Sequence, residues 1–258
     1  MPIAIQAGLW GFLSGSALLI GAVVGWFTPL SRRTIAAIMG FGAGILISAL
    51  SFELMDEAWR RTSHSGSGFL PVAVGFLGGA ALFTGCNLIL GLWGARHRKR
   101  STADHRALDK ARNPENGRAL ALGALLDGIP ESIVIGISLL EGGSVGLVAV
   151  IAIFLSNLPE GLSSAAGMKA DGTPARSVFL TWGGIALITG VASCLGYVIF
   201  DGVSPGWIAA VQAVAAGAIL AMIIDTMVPE AFAETHDFAG LIAVAGFLTA
   251  FALSKLAG

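Results

Sequence analysis

Charge is what this sequence has least of. Asp, Glu, Lys and Arg together make up 12% of its 258 residues, against about 25% in an ordinary soluble domain. Hydrophobic residues make up 55%, and the net charge is −1. That balance excludes a soluble enzyme or a nucleic-acid binder and leaves a polytopic membrane protein. Cysteine is scarce as well. Cys86 and Cys194 each fall inside an apolar stretch, so there is no disulfide framework, and both read as small buried hydrophobes. Residues 1–31 contain no Lys or Arg; with an apolar run too long for a signal peptide, they read as a true span.

What the chain does have is apolar length. Eight stretches stand between charged or turn-rich breaks, at about 4–28, 34–58, 69–93, 118–140, 145–168, 175–199, 206–231 and 238–257. The expected fold is all-α, a polytopic membrane protein with eight transmembrane helices forming a single domain over 1–258. Orientation follows from the basic residues. With the N-terminus outside, the cytoplasmic side collects Arg32, Arg33, Arg96, Arg98, Lys99, Arg100, Arg106, Lys110, Arg112, Arg118, Lys169 and Arg176, leaving Arg60, Arg61 and Lys255 outside. Both termini are therefore expected to face outward. Residues 95–117 become a cytoplasmic loop whose basic run is a topology signal or a contact for anionic lipid. Size and short loops suggest a bacterial inner membrane.

Because every Lys and Arg can be placed in a loop or at a span end, the carboxylates inside spans have no obvious cation beside them. They are Glu53, Asp127, Glu131, Glu160, Asp225 and Glu230, with Asp56 and Glu57 nearer an end. An ionisable group at the bilayer centre costs about 2.5–3.5 kcal/mol on insertion scales and marks a functional site by default. Protons, metal ions or cavity water are the neutralisers left, which argues for a cation path.

Two motifs sharpen this. Span four reads Leu126-Asp127-Gly128-Ile129-Pro130-Glu131-Ser132 and span five Leu155-Ser156-Asn157-Leu158-Pro159-Glu160-Gly161. Asp127 and Glu131 share one helix face by their i,i+4 spacing, and Asn157 and Glu160 share another by i,i+3. Each proline frees the carbonyl four residues earlier, Leu126 or Leu155, so each motif offers a carboxylate beside a loose backbone acceptor. Asp127 lies nine residues after Arg118 and Glu160 nine before Lys169, about 14 Å along a helix, which takes both towards the midplane. A single site fed by both helices is the expectation.

A fainter repeat links span two to span seven. Gly40 to Leu46, continuing to Ala58, aligns at an offset of 173 with Ala213 to Ile219, continuing to Ala231, and Gly75-Phe76-Leu77 answers Gly246-Phe247-Leu248. Spans one to three would then repeat, inverted, as six to eight, a 3+2+3 arrangement of the kind that underlies alternating access. Glu53 falls near the outer mouth, and Asp225 and Glu230 near the inner one. The glycine pairs Gly11/Gly15, Gly40/Gly44 and Gly75/Gly79 point to close helix packing.

The pattern resembles the ZIP (Zrt/Irt-like) family of divalent metal transporters, whose paired motifs typically read His-Asn-x-Pro-Glu-Gly. By position, the resemblance implies metal contacts at Asp127, Gly128 and Glu131 in span four and at Ser156, Asn157 and Glu160 in span five. It also implies that spans one, four, five and six move against two, three, seven and eight, carrying metal into the cytoplasm. The chain departs from the pattern in that Asp127 and Ser156 replace the motif histidines and Gly128 the asparagine; span six lacks an acid between Thr181 and Ser193. His64, His97, His105 and His236 all lie in loops or at ends. The expected metal set is Asp127, Glu131, Asn157, Glu160 and Ser156, an oxygen-rich group on which manganese, iron(II), cobalt or magnesium competes better with zinc. Metal cations as substrate and membrane lipids are the expected partners, with a homodimer allowed and no nucleic acid. A proton or monovalent-cation carrier or channel using the same acids is the alternative. An intramembrane hydrolase is the weakest reading, because no His-based zinc triad is present.

Overall fold

The end of each helix is written locally in the chain. The first helix, α1 (Ile3–Phe27), stops at Thr28-Pro29, and Ser31 caps α2 (Arg32–Ala49) by accepting the Thr34 N–H at 3.1 Å. A π-helical turn, Leu50–Met55, carries α2 into α3 (Asp56–Ser65). Then come α4 (Leu70–Leu92), α5 (Glu115–Ser138), α6 (Leu147–Ala170), α7 (Ala175–Phe200) and α8 (Pro205–Met222). A second π-helical turn, Ile223–Met227, leads into α9 (Val228–Thr235), and a 3-10 turn at His236–Phe238 leads into α10 (Ala239–Ala257). The loops after α6 and α7 share one solution: Asp171-Gly172 and Asp201-Gly202 place glycine at φ 78° and 79°, a left-handed conformation that reverses the chain with little strain. The computed structural model describes residues 1–65, 68–92, 115–140 and 146–257, and all regular elements among them are helical.

Six segments among the described residues are long and apolar enough to cross a membrane. The last, Pro205–Leu256, has 52 residues, about 78 Å if straight, far more than a core about 30 Å thick. It is divided at His236, whose φ of 44° turns the chain back. Helix α5, which carries Asp127 and Glu131, is not one of the six. It begins at Glu115, so the end of the expected loop at 115–117 is its first turn. The rest of that loop, with His97 and His105, lies outside the described residues.

Helices α5 and α6 run on through Pro130 and Pro159, neither of which has an N–H to give the Leu126 or Leu155 carbonyl. Two π-helical turns begin at Leu50 and Ile223, 173 positions apart. This is the offset of the sequence repeat. Packing follows the same offset. A Cβ added at Gly44 would overlap the Ala243 carbonyl of α10, and one at Gly217 would overlap the Phe76 carbonyl of α4. Thus α2 pairs with α10 and α8 with α4, each through glycine-mediated backbone approach.

A second group of helices forms around α1, which packs extensively on α6 and α7, while α5 packs on α7. Here too glycines set the spacing: Gly21 and Gly161 bring α1 and α6 together, and Gly136 and Gly196 bring α5 and α7 together. Buried hydroxyls fasten α7 to α1, with Ser193 Oγ donating to the Ala7 carbonyl at 2.8 Å and Thr189 Oγ1 to the Gly11 carbonyl at 3.3 Å. The main hydrophobic core lies in the other group, drawing on Met39, Leu46, Ile219 and Ile223, and reaches Val134 of α5.

Gln212 of α8 is fully buried, and neither its amide nitrogen nor its oxygen has a hydrogen-bond partner among the described residues. An unsatisfied buried amide destabilises by about 1–3 kcal/mol. Replacing it with methionine is expected to leave the melting temperature of the detergent-purified chain unchanged or to raise it. A fall of several degrees would mean that the amide is satisfied by buried water.

Candidate cation site between two helix groups

The span-four acids are deeply buried on α5: Asp127 is 5% and Glu131 3% exposed. On α6, Ser156 and Asn157 are buried and Glu160 is half-buried. Ser156 Oγ donates to the Ile153 carbonyl at 2.9 Å, which uses its proton and leaves its lone pairs available. Asn157 Nδ2 donates to the Ser14 carbonyl of α1 at 3.2 Å, which fixes the amide plane and turns its oxygen to the opposite side.

The two motifs open onto the seam between the helix groups. Asp127, with Leu126 and Pro130, lines a crevice too narrow for water against Phe83 of α4 and Ala218, Ile219 and Met222 of α8. Glu160, with Ser163 and Ser164, lines a cavity of about 20 Å³ against Met39 of α2, Met222 of α8, Thr226 and Met227 of the second π-helical turn and Glu230 of α9. That is room for about one water molecule or a bare ion. Met222, 2% exposed, is a wall of both spaces.

Glu230, expected near the inner mouth, is 4% exposed and accepts a hydrogen bond from Ser163 Oγ of α6. Its carboxylate therefore faces the same cavity as that of Glu160. A signal for this was present. Pro229-Glu230 is a third Pro-Glu pair, and Ser163 shares a helix face with Glu160 by its i,i+3 spacing. The methionines were overlooked because a thioether reads as core until its neighbours are known.

The other mouth acids lie apart. Glu53, half-buried in the first π-helical turn, accepts from Ser254 Oγ of α10 at 2.6 Å, and Asp225, in the second, is exposed. Among the described residues no three His, Cys, Asp or Glu side chains gather closely enough to hold an ion. Asp127, Glu131 and Glu160 are thus not drawn into one ready ligand set. A space elsewhere, about 370 Å³ beside Lys169 and Thr28, has no carboxylate in its lining.

Comparison with known proteins adds a second line. No family model matches the chain. Zinc transporter ZIP11 of Bos taurus is 28% identical over 217 residues, 66% of this chain and 61% of that protein. A protein of Arabidopsis thaliana, provisionally named a zinc transporter, is 27% identical over 233 residues, 88% of this chain and 34% of that protein. Zinc transporter ZIP11 of Homo sapiens is 31% identical over 97 residues. These relatives support membership in the ZIP family. The chain spans about three fifths of the bovine relative's length and about a third of the Arabidopsis relative's.

Gly128, where the ZIP pattern has asparagine, packs against α7: a Cβ there would lie 3.2 Å from Thr189 Cγ2. No described imidazole approaches the seam. His236 sits at the chain reversal with its ring edge-on to Phe232, 6.0 Å between centroids.

Proposed function

We propose that this chain is a secondary transporter that moves divalent metal cations across the membrane towards the cytoplasm by alternating access. One observation carries the reading: Glu160 and Glu230, carried by different helix groups, face a single ion-sized cavity at the seam between them. A site shared in this way is exposed to one side or the other as the groups shift, without either group unfolding. The group of α1, α5, α6 and α7 would move against that of α2, α4, α8 and α10. The matching π-helical turns and glycine contacts at an offset of 173 support an inverted repeat. Counting α5 as a crossing and dividing the last segment at His236 would make eight spans with both termini on one side, and the placement of the basic residues favours the outside.

The zinc transporter relatives favour zinc. The proposed ligands are Asp127, Glu131, Asn157, Glu160 and Ser156, joined by Glu230; their oxygens admit manganese, iron(II) or cobalt as well, while the thioethers of Met39, Met222 and Met227 offer softer contacts that keep zinc in range. No group that would make the chain an enzyme is part of this reading.

Uptake into vesicles reconstituted with the purified chain tests it. Both zinc and manganese are expected to enter, and potassium is not. Movement of protons or potassium with no divalent uptake would replace this reading with a monovalent carrier or channel. A strong preference for zinc over manganese would overturn the oxygen-dominated selectivity alone.

A further inference from the structure

Ser132, Ser156 and Thr226 spend their hydroxyl protons on their own stretch of backbone. Ser132 donates to the Gly128 carbonyl at 2.6 Å, Ser156 to that of Ile153 at 2.9 Å and Thr226 to that of Met222 at 2.6 Å. This is the local bond open to any helical serine or threonine, back onto a carbonyl three or four residues earlier. Ser163 of α6 differs. It is 2% exposed, and its Oγ donates to Oε1 of Glu230 on α9, which continues the α8 segment and packs on α2. The bond therefore crosses from one helix group to the other.

Its place is the wall of the ion-sized cavity. Ser163 and Glu230 both line that space, as does Glu160, one turn before Ser163 on the same face of α6. At about 20 Å³ the space holds one water or one bare ion, and an occupant of that size touches its walls. A glutamate reaches such an occupant through several rotatable bonds, and fixing them costs conformational entropy. A carboxylate has about four acceptor positions, and the Ser163 bond takes one of them. The hydroxyl can thus order Glu230 ahead of the ion without displacing it.

We propose that Ser163 is a positioning residue of the cation site: from α6 its hydroxyl reaches across the seam and holds the Glu230 carboxylate against the cavity that Glu160 lines. This rests on the carrier reading above. It acts through Glu230, as the hydrogen-bond partners of metal-binding carboxylates do. Because the bond joins the two helix groups, it lasts only while they are docked at this level. A shift that parts Ser163 from Glu230 frees one of the two carboxylates and loosens the hold on the ion, so affinity falls as the site opens.

Calorimetric binding of zinc and of manganese to the purified full chain, with uptake into reconstituted vesicles, tests this. Ser163→Ala is expected to raise the Kd and the uptake KM for both metals about tenfold to a hundredfold, the usual cost of losing such a partner, while the rate at saturating metal stays within about twofold. Ser163→Thr keeps the hydroxyl and is expected to restore affinity to within a few fold of the unaltered chain. In a Glu230→Ala background, adding Ser163→Ala is expected to change the Kd by less than about twofold, because the group through which Ser163 acts has gone. Unaltered affinity in Ser163→Ala, a loss of equal size with and without Glu230, or no better affinity with threonine than with alanine would each overturn the role of Ser163. If uptake then still depends on Glu160, the carrier reading stands. Absence of divalent binding and uptake in the unaltered chain would remove the carrier reading itself.

Discussion

Alanine in place of Glu160 is expected to abolish divalent uptake in reconstituted vesicles, by more than about a hundredfold, while the purified chain keeps its helical content. Glu160 lines the ion-sized cavity beside Glu230, among methionine and serine side chains. What disappears is the charged oxygen that meets the cation at the seam, and even an indirect partner of a metal is worth about ten- to a hundredfold in affinity. The thermal stabilisation conferred by added metal should vanish in parallel, since stabilisation by a ligand requires binding to the folded state. Glu131→Ala, at 3% exposure on α5, is expected to behave in the same way. Wild-type uptake by both variants would dispose of the proposed site.

The second large effect concerns folding. Gly161 follows Glu160 directly, and a Cβ there would overlap the Leu18 carbonyl of α1. Gly21 repeats the arrangement from the other side, where a Cβ would overlap the Leu158 carbonyl of α6. The obstacle in both cases is backbone, which cannot change rotamer to make room. Overpacking a core ordinarily costs about 1–3 kcal/mol, and a rigid obstacle places Gly161→Val at or beyond the upper end. The expected result is a marked drop in folded yield and melting temperature. Gly167→Ala is the control on the same helix: nothing lies within 4 Å of its Cβ position, so stability should hold and even gain slightly from the higher helix propensity of alanine. Equal behaviour of the two variants would show that α1 and α6 do not approach in this way.

How far the sequence could be read depended on the range of the signal. Helix positions were legible because apolar length and turn chemistry are local: the expected span 175–199 is found as Ala175–Phe200, and 69–93 as Leu70–Leu92. The burial of Asp127 and Glu131 was legible for the same reason, from two acids in an apolar run. The meeting of Glu160 with Glu230 was not, because it joins helices 70 positions apart and no periodicity reports which helix packs on which. The π-helical turns were also hidden. Proline advertises a disrupted helix, and Pro229 does follow the second π-helical turn, but the first, Leu50–Met55, has no proline beside it.

The two kinds of helix contact have different mechanical characters. Inside each group, backbone lies directly against backbone at Gly21, Gly44, Gly161 and Gly217, so neighbours there are interlocked. Across the seam, Gly42 of α2 meets a side chain, with Pro159 Cγ of α6 2.8 Å from where a Cβ would be, and Ser163 holds Glu230 by one hydrogen bond. A load applied along the membrane normal would therefore yield first at the seam, as a slip plane between two stiff blocks, and the ion-sized cavity lies on that plane.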